Sequence, residues 1–136
     1  MALATGLPLP AAADPSRLDD AVRRLTGGAA PASRGVKVDL PELAENGFSV
    51  PIVVEVDGPI TAERYVETIH VLSERNPVTR IAEFRLGRRA GRAKVASNVR
   101  LAESQRVVAI ARMSDGTFLS GEASVLLTLA ACIDGG

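Results

Sequence analysis

Residues 106–128 read RVVAIARMSDGTFLSGEASVLLT, and this stretch decides the fold class. Its first part is almost continuously apolar, and its second part places Leu119, Val125 and Leu127 on one face of an alternating pattern. A period of two is typical of a strand with one buried side. Ser-Asp-Gly at 114–116 is a strong signal for the turn between two paired strands. The stretch therefore predicts a β-hairpin.

Similar β-rich runs cover the chain upstream of this hairpin. Short turns separate them and no helical pattern lies between them, which argues against an α/β fold. Strands at this spacing are typical of two antiparallel sheets packed face to face. We therefore predict an all-β fold, an immunoglobulin-like antiparallel β-sandwich of about seven strands. The runs lie at residues 36–40, 48–56, 65–72, 79–86, 94–101, 106–113 and 117–128.

One short helix is predicted before the first strand. Leu18, Val22 and Leu25 recur at the spacing of one helical face. Pro15 suits the first helical position, and Gly27-Gly28 ends the pattern.

The two ends of the chain differ from the domain between them, which we assign to residues 14–129. Residues 1–13 carry no charge, and Ala11-Ala12-Ala13 resembles the small-residue cleavage region of a secretory signal, although the basic region of such a signal is missing. We expect a flexible apolar tail or a signal remnant. Residues 130–136 are assigned to a C-terminal arm, because chain ends are usually mobile unless packed down.

The composition argues against several classes of function. Sixteen basic residues balance 16 acidic ones, so overall charge gives no reason to expect a partner nucleic acid or membrane surface. One cysteine allows neither an internal disulfide nor a multi-cysteine metal site, and one histidine argues against a His-rich zinc site. Aromatic residues are only 3% of the chain, too few for a base-stacking platform. We therefore expect no resident metal or cofactor.

Charge is unevenly distributed along the chain. Residues 39–74 hold eight acids and one base, whereas residues 75–100 hold eight bases and one acid. Cross-strand ion pairs on solvated faces are the favoured interpretation. The alternative is a docking surface that steers a charged partner.

Few residues upstream of the arm indicate catalysis. Residues 87–92, GRRAGR, lack the Gly-Lys-Ser/Thr of a phosphate-binding loop and precede no helix, so a hairpin turn is favoured. His70 alternates with Thr68 and Leu72 on one strand face and has no second histidine, so we interpret it as structural. The spacing supports no Ser-His-Asp or paired-carboxylate arrangement.

Cys132 is the remaining candidate for chemistry. It is the only thiol of the chain, it follows the last predicted strand, and four residues come after it. A cysteine in an apolar stretch is usually a small buried hydrophobe. A thiol on a terminal segment can nevertheless enter another protein's active site, which a thiol inside a rigid domain cannot do. Cys132 is therefore the candidate functional residue, and a small buried hydrophobe is the alternative.

Several motifs resemble one known family. PELAENGFSVP at 41–51 is similar to the Pro-Glu-Ile-Ala-Glu-Asn-Gly-x-x-Val-Pro signature of the SoxY family, the sulfur carrier subunits of the bacterial thiosulfate-oxidising Sox system. Further similar segments follow in the family's order, and the resemblance extends from Leu18 to the C-terminus. These segments are Asn76-Pro77, NVRLA at 98–102, QRVVA at 105–109 and MSDG at 113–116.

The resemblance implies a fold, a location and a partner. It implies an immunoglobulin-like sandwich in the periplasm, exported by a twin-arginine signal and paired with a second β-sandwich subunit, SoxZ. Residues 107–110, apolar on both strand faces, fit either a sheet covered by such a partner or an interior strand covered by its own fold. Without the partner, the isolated chain is expected to self-associate.

The resemblance also implies a carrier rather than an enzyme. The family's C-terminal cysteine, which Cys132 matches by position, holds covalent sulfur intermediates and presents them to partner enzymes. A haem protein couples thiosulfate to the cysteine, a hydrolase releases sulfate, and a molybdenum protein oxidises the remaining sulfur.

The arm around Cys132 departs from the family pattern, which typically ends Gly-Gly-Cys-Gly-Gly. Alanines replace the preceding glycines and can stiffen the arm, and Asp134 places a negative charge near the thiol, which disfavours the thiolate and repels anionic thiosulfate. A divergent carrier, or a paralogue with another cargo, fits these differences. The arm residues beside the cysteine are Ala130, Ala131, Ile133, Asp134, Gly135 and Gly136.

Three functions are therefore open. The favoured one is a covalent sulfur carrier that acts as the substrate of partner enzymes. The second is a non-catalytic structural or scaffold subunit whose cysteine is incidental or carries another cargo. The third is an enzyme, against which the missing acid–base arrangements argue.

Overall fold

The computed structural model describes residues 15–57, 61–87 and 92–128, which form one helix and eight strands. Each predicted strand is present with its ends within two residues of the expected bounds, and so is the helix. The predicted tail 1–13 and arm 130–136 lie outside the described residues. The bounds are α1 Pro15–Thr26, β1 Val36–Asp39, β2 Leu43–Ala44, β3 Val50–Val56, β4 Val66–Ser73, β5 Arg80–Arg85, β6 Lys94–Val99, β7 Gln105–Met113 and β8 Phe118–Leu127.

The strands form two sheets, as the sandwich prediction requires. One sheet has the order β1-β3-β6, and the other has the order β2-β8-β7-β4-β5. Neighbouring strands are antiparallel except β2 and β8, which run parallel. The all-β sandwich with a short N-terminal helix is therefore confirmed. It has one strand more than predicted, the two-residue β2.

The predicted hairpin is formed by β7 and β8, which pair from Gln105–Val125 to Arg112–Phe118. Gly116 occupies the left-handed region of the turn with φ 87°, which glycine adopts without steric cost. Asp115 Oδ1 accepts hydrogen bonds from the hydroxyl of Thr117 at 2.6 Å and from its backbone N–H at 3.0 Å. These two bonds hold the pKa of Asp115 at about 2, so its carboxylate stays charged and keeps the turn closed.

The main core lies between the two sheets. Ile52 and Val54 of β3 and Ile69 and Val71 of β4 are almost completely buried within one apolar cluster. These residues occupy alternate positions of their strands, as the period-two pattern predicts. Burial of this apolar surface is the main favourable term in the stability of the domain.

Helix α1 covers the outer face of the five-stranded sheet. Leu18 is 2% exposed and packs with Leu72 of β4 and with Val108 and Ile110 of β7. The second apolar face of β7 is thus covered by the chain itself. Of the two interpretations of residues 107–110, the interior strand covered by its own fold is correct, so this strand gives no reason to expect a partner.

Candidate functional site

The structure places the start of the segment that carries Cys132. Cys132 and the arm residues lie outside the described residues, and Thr128 is the last residue described before them. The surroundings of Thr128 are formed by the family-like motif at 41–51. We call residues 42–48 and 125–128 together the arm root.

Three hydrogen bonds attach the end of β8 to this motif. The N–H of Leu126 donates to the carbonyl of Glu42 at 2.9 Å, and the N–H of Thr128 donates to the carbonyl of Ala44 at 3.0 Å. The Thr128 hydroxyl donates to the carbonyl of Glu45 at 3.1 Å. These bonds create the parallel β2–β8 pair and fix the position of Thr128 at the edge of the five-stranded sheet.

Gly47 shows why the motif needs a glycine. A Cβ at this position would lie 1.8 Å from the carbonyl oxygen of Leu101 and 2.9 Å from Cδ1 of Leu127. The Gly47 carbonyl in turn accepts a hydrogen bond from the Leu101 N–H at 2.8 Å. The close approach of these backbones holds the motif against both β8 and the segment after β6.

A second network of hydrogen bonds, centred on Asn76, lies next to the arm root. The Asn76 side chain donates to the carbonyl of Arg100 at 2.7 Å and accepts from the N–H of Ala102 at 2.8 Å and from Gln105 Nε2 at 3.0 Å. Ser73 donates its hydroxyl to Gln105 Oε1. The motifs around residues 76, 98–102 and 105, separate in sequence, are thus joined through one buried asparagine.

The hydroxyl of Ser104 connects this network to the end of β8. Its Oγ accepts a hydrogen bond from the Leu127 N–H at 2.8 Å. The C-terminal end of β8 is thus held by the family-like motif at 41–51 and by Ser104, which lies between the family-like segments 98–102 and 105–109. In the sequence, these segments stand out only by their resemblance to the family. The hydrogen bonds show which of them contact one another.

A cavity of about 720 Å³ lies beside the arm root on the outer face of the sheet. Its two arginines already have acidic partners. Arg75 is 2.7 Å from Glu103, and Arg106 is 3.7 Å from Glu74 and 3.5 Å from Glu122. The residues that line the cavity are Glu42, Glu74, Arg75, Ser104, Gln105, Arg106, Ser124, Val125 and Leu126.

His70 lies far from the arm root. It pairs with Ile110, which is opposite Ser120, six residues before Leu126 and hence roughly 20 Å away along the strand. His70 as a whole residue is 8% exposed. Its Nδ1 lies 3.4 Å from Glu83 Oε1 and forms no hydrogen bond with any described residue. Burial lowers the pKa of His70 below its usual 6.5, although the Glu83 carboxylate opposes this. The neutral, buried ring agrees with the structural interpretation.

Only some of the acidic side chains in residues 39–74 form ion pairs. Glu55 pairs with Arg92, Glu67 with Arg112, and Glu74 with Arg106. The other five acids of residues 39–74 make no ion pair within the described part of the chain. They are Asp39, Glu42, Glu45, Asp57 and Glu63, and two of them belong to the arm root.

The described residues contain no group of three or more His, Cys, Asp or Glu side chains placed to hold a metal ion. No helix in the same part of the chain is long and apolar enough to cross a bilayer.

Solved structures with this fold include both carriers and enzymes. The sulfur carrier protein SoxY from Chlorobium limicola f thiosulfatophilum matches with a TM-score of 0.69 and 24% identity, over 83% of this chain and 93% of that one. A superoxide reductase (neelaredoxin) from Ignicoccus hospitalis matches with a TM-score of 0.60 and 15% identity, over 70% of this chain and 81% of that one. At such identities these likenesses establish the fold alone.

Sequence comparison identifies the family. No curated protein matches the chain significantly. The family model described as sulfur oxidation protein SoxY matches residues 22–132, which is most of the chain and ends at Cys132. The match includes the arm root, the Asn76 network and the β7–β8 hairpin, and it agrees with the motif resemblance. This chain therefore belongs to the SoxY family of sulfur oxidation proteins.

Proposed function

We propose that the chain is a covalent sulfur carrier in thiosulfate oxidation and that Cys132 is the attachment point. The observation that carries this proposal is the family match that reaches Cys132, the only thiol of the chain. Two further observations support it. The solved SoxY structure with the same fold is named a sulfur carrier protein. The hydrogen bonds at Thr128 also fix the last described residue before Cys132.

The proposed loading reaction joins the Cys132 thiol to the terminal sulfur of thiosulfate. The thiol loses its proton, a sulfur–sulfur bond forms, and two electrons pass to the haem protein that acts as the oxidant. A hydrolase then adds water across the bond to the sulfonate group, which releases sulfate and leaves a persulfide on Cys132. The chain supplies the attachment point, and partner enzymes supply the catalytic groups.

The proposal includes a location and partners. The carrier works in the periplasm, in complex with a SoxZ-like β-sandwich subunit. It meets in turn a haem protein, a sulfate-releasing hydrolase and a molybdenum protein. The chain itself acts as their substrate and is not an enzyme.

A reconstituted loading assay tests this function. The chain, its SoxZ-like subunit, the haem protein and thiosulfate are combined, and intact mass reports a covalent adduct. We expect wild-type chain to gain one thiosulfate group that a reducing agent removes, and Cys132→Ser to gain none while keeping the far-ultraviolet circular dichroism of the wild type. Normal thiosulfate turnover with Cys132→Ser would show that the carrier proposal is wrong.

The substitutions in the arm favour one alternative, a scaffold subunit or a paralogue with another cargo. Asp134 and Ile133 stand where the family typically has glycine, and Asp134 repels an anionic cargo. The same assay separates the two functions, because Asp134→Gly and Ile133→Gly would then create loading that the wild-type chain lacks.

A further inference from the structure

Three of the four large apolar side chains that are well exposed in the described part of the chain lie at the arm root. Leu43 is 61% exposed, Leu126 62% and Phe48 53%, and the fourth is Val78. Scattered exposed apolar residues are normal on a protein surface, but a cluster indicates an interaction site. This concentration at the base of the segment with Cys132 needs an explanation.

Backbone pairing places two of these residues side by side, and the third follows in the same motif. Leu43 is the register partner of Leu126 in the parallel β2–β8 pair. Phe48 directly follows Gly47, whose backbone lies against Leu101 and the Leu127 side chain. Leu43 and Leu126 therefore lie within two residues of the positions that hydrogen-bond at Thr128, and Phe48 lies in the same motif.

Acidic side chains flank this apolar surface. Glu42 and Glu45 stand on either side of β2, both are exposed, and neither forms an ion pair with any described residue. The arginines of the neighbouring cavity, Arg75 and Arg106, are already paired with other glutamates. The unpaired charge of Glu42 and Glu45 on either side of Leu43 is negative, and it favours a partner with basic residues around an apolar contact.

The short distance along the chain from Thr128 to Cys132 requires any protein that receives the cysteine to come close to this surface. Four residue steps separate Thr128 from Cys132, so their Cα atoms lie at most roughly 14 Å apart. Thr128 itself is fixed by bonds to Ala44 and Glu45. A reactive centre recessed in a pocket can meet Cys132 only if the entrance of the pocket approaches the arm root closely.

We propose that Leu43, Phe48 and Leu126, with Glu42 and Glu45, form the surface that docks the enzymes acting on Cys132, and that the entrance of their active sites is apolar and basic. This inference rests on the carrier function. It adds that recognition depends on the folded domain as well as on the arm. Burial of the three side chains supplies affinity, whereas the two carboxylates speed association.

The test measures the rate at which the haem protein loads thiosulfate onto the full chain in its complex with the SoxZ-like subunit. The variants are Leu43→Ser with Leu126→Ser, and Glu42→Lys with Glu45→Lys. All four side chains are exposed, so the fold should persist. Val78→Ser is the matched control, since Val78 is 66% exposed but lies in the turn between β4 and β5.

We expect the leucine pair to lower the second-order loading rate by roughly tenfold or more, as loss of central apolar contacts does in other interfaces. The glutamate pair should lower the rate most at low salt, and the difference from wild type should shrink as salt screens the charges. Val78→Ser should load at the wild-type rate. Alkylation of Cys132 by iodoacetamide should be the same in all variants, because the arm chemistry is unchanged.

Wild-type loading rates in both double variants would overturn the inference while leaving the carrier function intact. Loss of binding to the SoxZ-like subunit in the leucine variant, with normal loading of the glutamate variant, would also overturn it and assign the surface to the subunit interface. Absence of loading in the wild-type chain, with normal alkylation, would instead contradict the carrier function itself.

Discussion

At the scale of single residues, the glycine of the family motif has a steric role that the sequence does not show. The carbonyl oxygen of Leu101 occupies the space where a Cβ on Gly47 would lie, at 1.8 Å. Because that atom belongs to the backbone, the conflict cannot be relieved by a change of side-chain rotamer. Replacement of this glycine must move either the motif or the segment after β6.

We predict that Gly47→Ala destabilises the domain by roughly 1–3 kcal/mol, the usual cost of overpacking. Urea unfolding followed by circular dichroism measures this change. Gly87→Ala is the control, because no described residue other than its chain neighbours lies within 4 Å of a Cβ at Gly87, and we expect a change within about 0.5 kcal/mol. Equal stability of the two variants would mean that the contact with Leu101 is not tight.

His70 gives a prediction about pH. Burial lowers the pKa of His70, Glu83 raises it, and Arg80, Arg112 and Arg85 lower it further. The unfolded chain therefore binds more protons than the native chain just below pH 6.5. Since stability rises with pH wherever the unfolded state binds more protons, the contribution of a neutral His70 is lost as pH falls below about 6.5.

We predict that the wild-type chain loses stability between pH 7.5 and pH 5.0, and that His70→Asn loses less over the same interval. Glu83→Gln should lose more, because it removes the one group that favours the protonated ring. Urea midpoints at the two pH values check this. An identical pH dependence in wild type and His70→Asn would show that His70 does not titrate differently in the folded state.

At the scale of elements, the strands with a buried face could be predicted and the shortest strand could not. The alternation in residues 117–128 and the apolar run in 106–113 locate β7 and β8 to within one residue. β2 has two residues, so it shows no period, and only the hydrogen bonds from Leu126 and Thr128 make it a strand. Its parallel direction depends on where the chain returns after β1, which local sequence does not encode.

Helix α1 gives the prediction at this scale. Leu18 is 2% exposed and fills the space over Leu72, Val108 and Ile110. We expect Leu18→Ala to destabilise the domain by roughly 2–5 kcal/mol, the range for buried leucines. Asp19→Ala, on the exposed side of the helix, should change stability by less than about 0.5 kcal/mol in urea unfolding. A small effect of Leu18→Ala would mean that the helix is loosely attached.

At the scale of the whole molecule, the sequence could predict the fold and the family but not the docking surface. The sequence identifies Glu42 and Leu43 as part of a motif. It does not predict that they are exposed, because their exposure depends on β2 lying at the edge of a sheet. Leu126 belongs to an alternating strand whose outer positions could equally have been covered by the helix. The tertiary arrangement decides this: α1 covers Val108 and Ile110 and leaves Leu126 exposed.

The proposed SoxZ-like subunit gives a prediction for the assembled protein. Because α1 already covers the outer face of β7, we expect the subunit to bind another surface and α1 to remain in place. Sedimentation of the mixed chains should show a single heteromeric species, and the isolated chain should self-associate as its concentration rises. A stable monomer at every accessible concentration, with no binding to the subunit, would contradict this expectation.

The most direct test of the central claim is the mass of the chain purified from its native source during growth on thiosulfate. Intact-mass analysis, followed by sequencing of the C-terminal peptide, reports what Cys132 carries. The account predicts that a fraction of the molecules bears additional sulfur, as a persulfide or a thiosulfate adduct, located on Cys132 and removed by a reducing agent. A free, unmodified Cys132 thiol in all molecules, in cells that are oxidising thiosulfate, would contradict it.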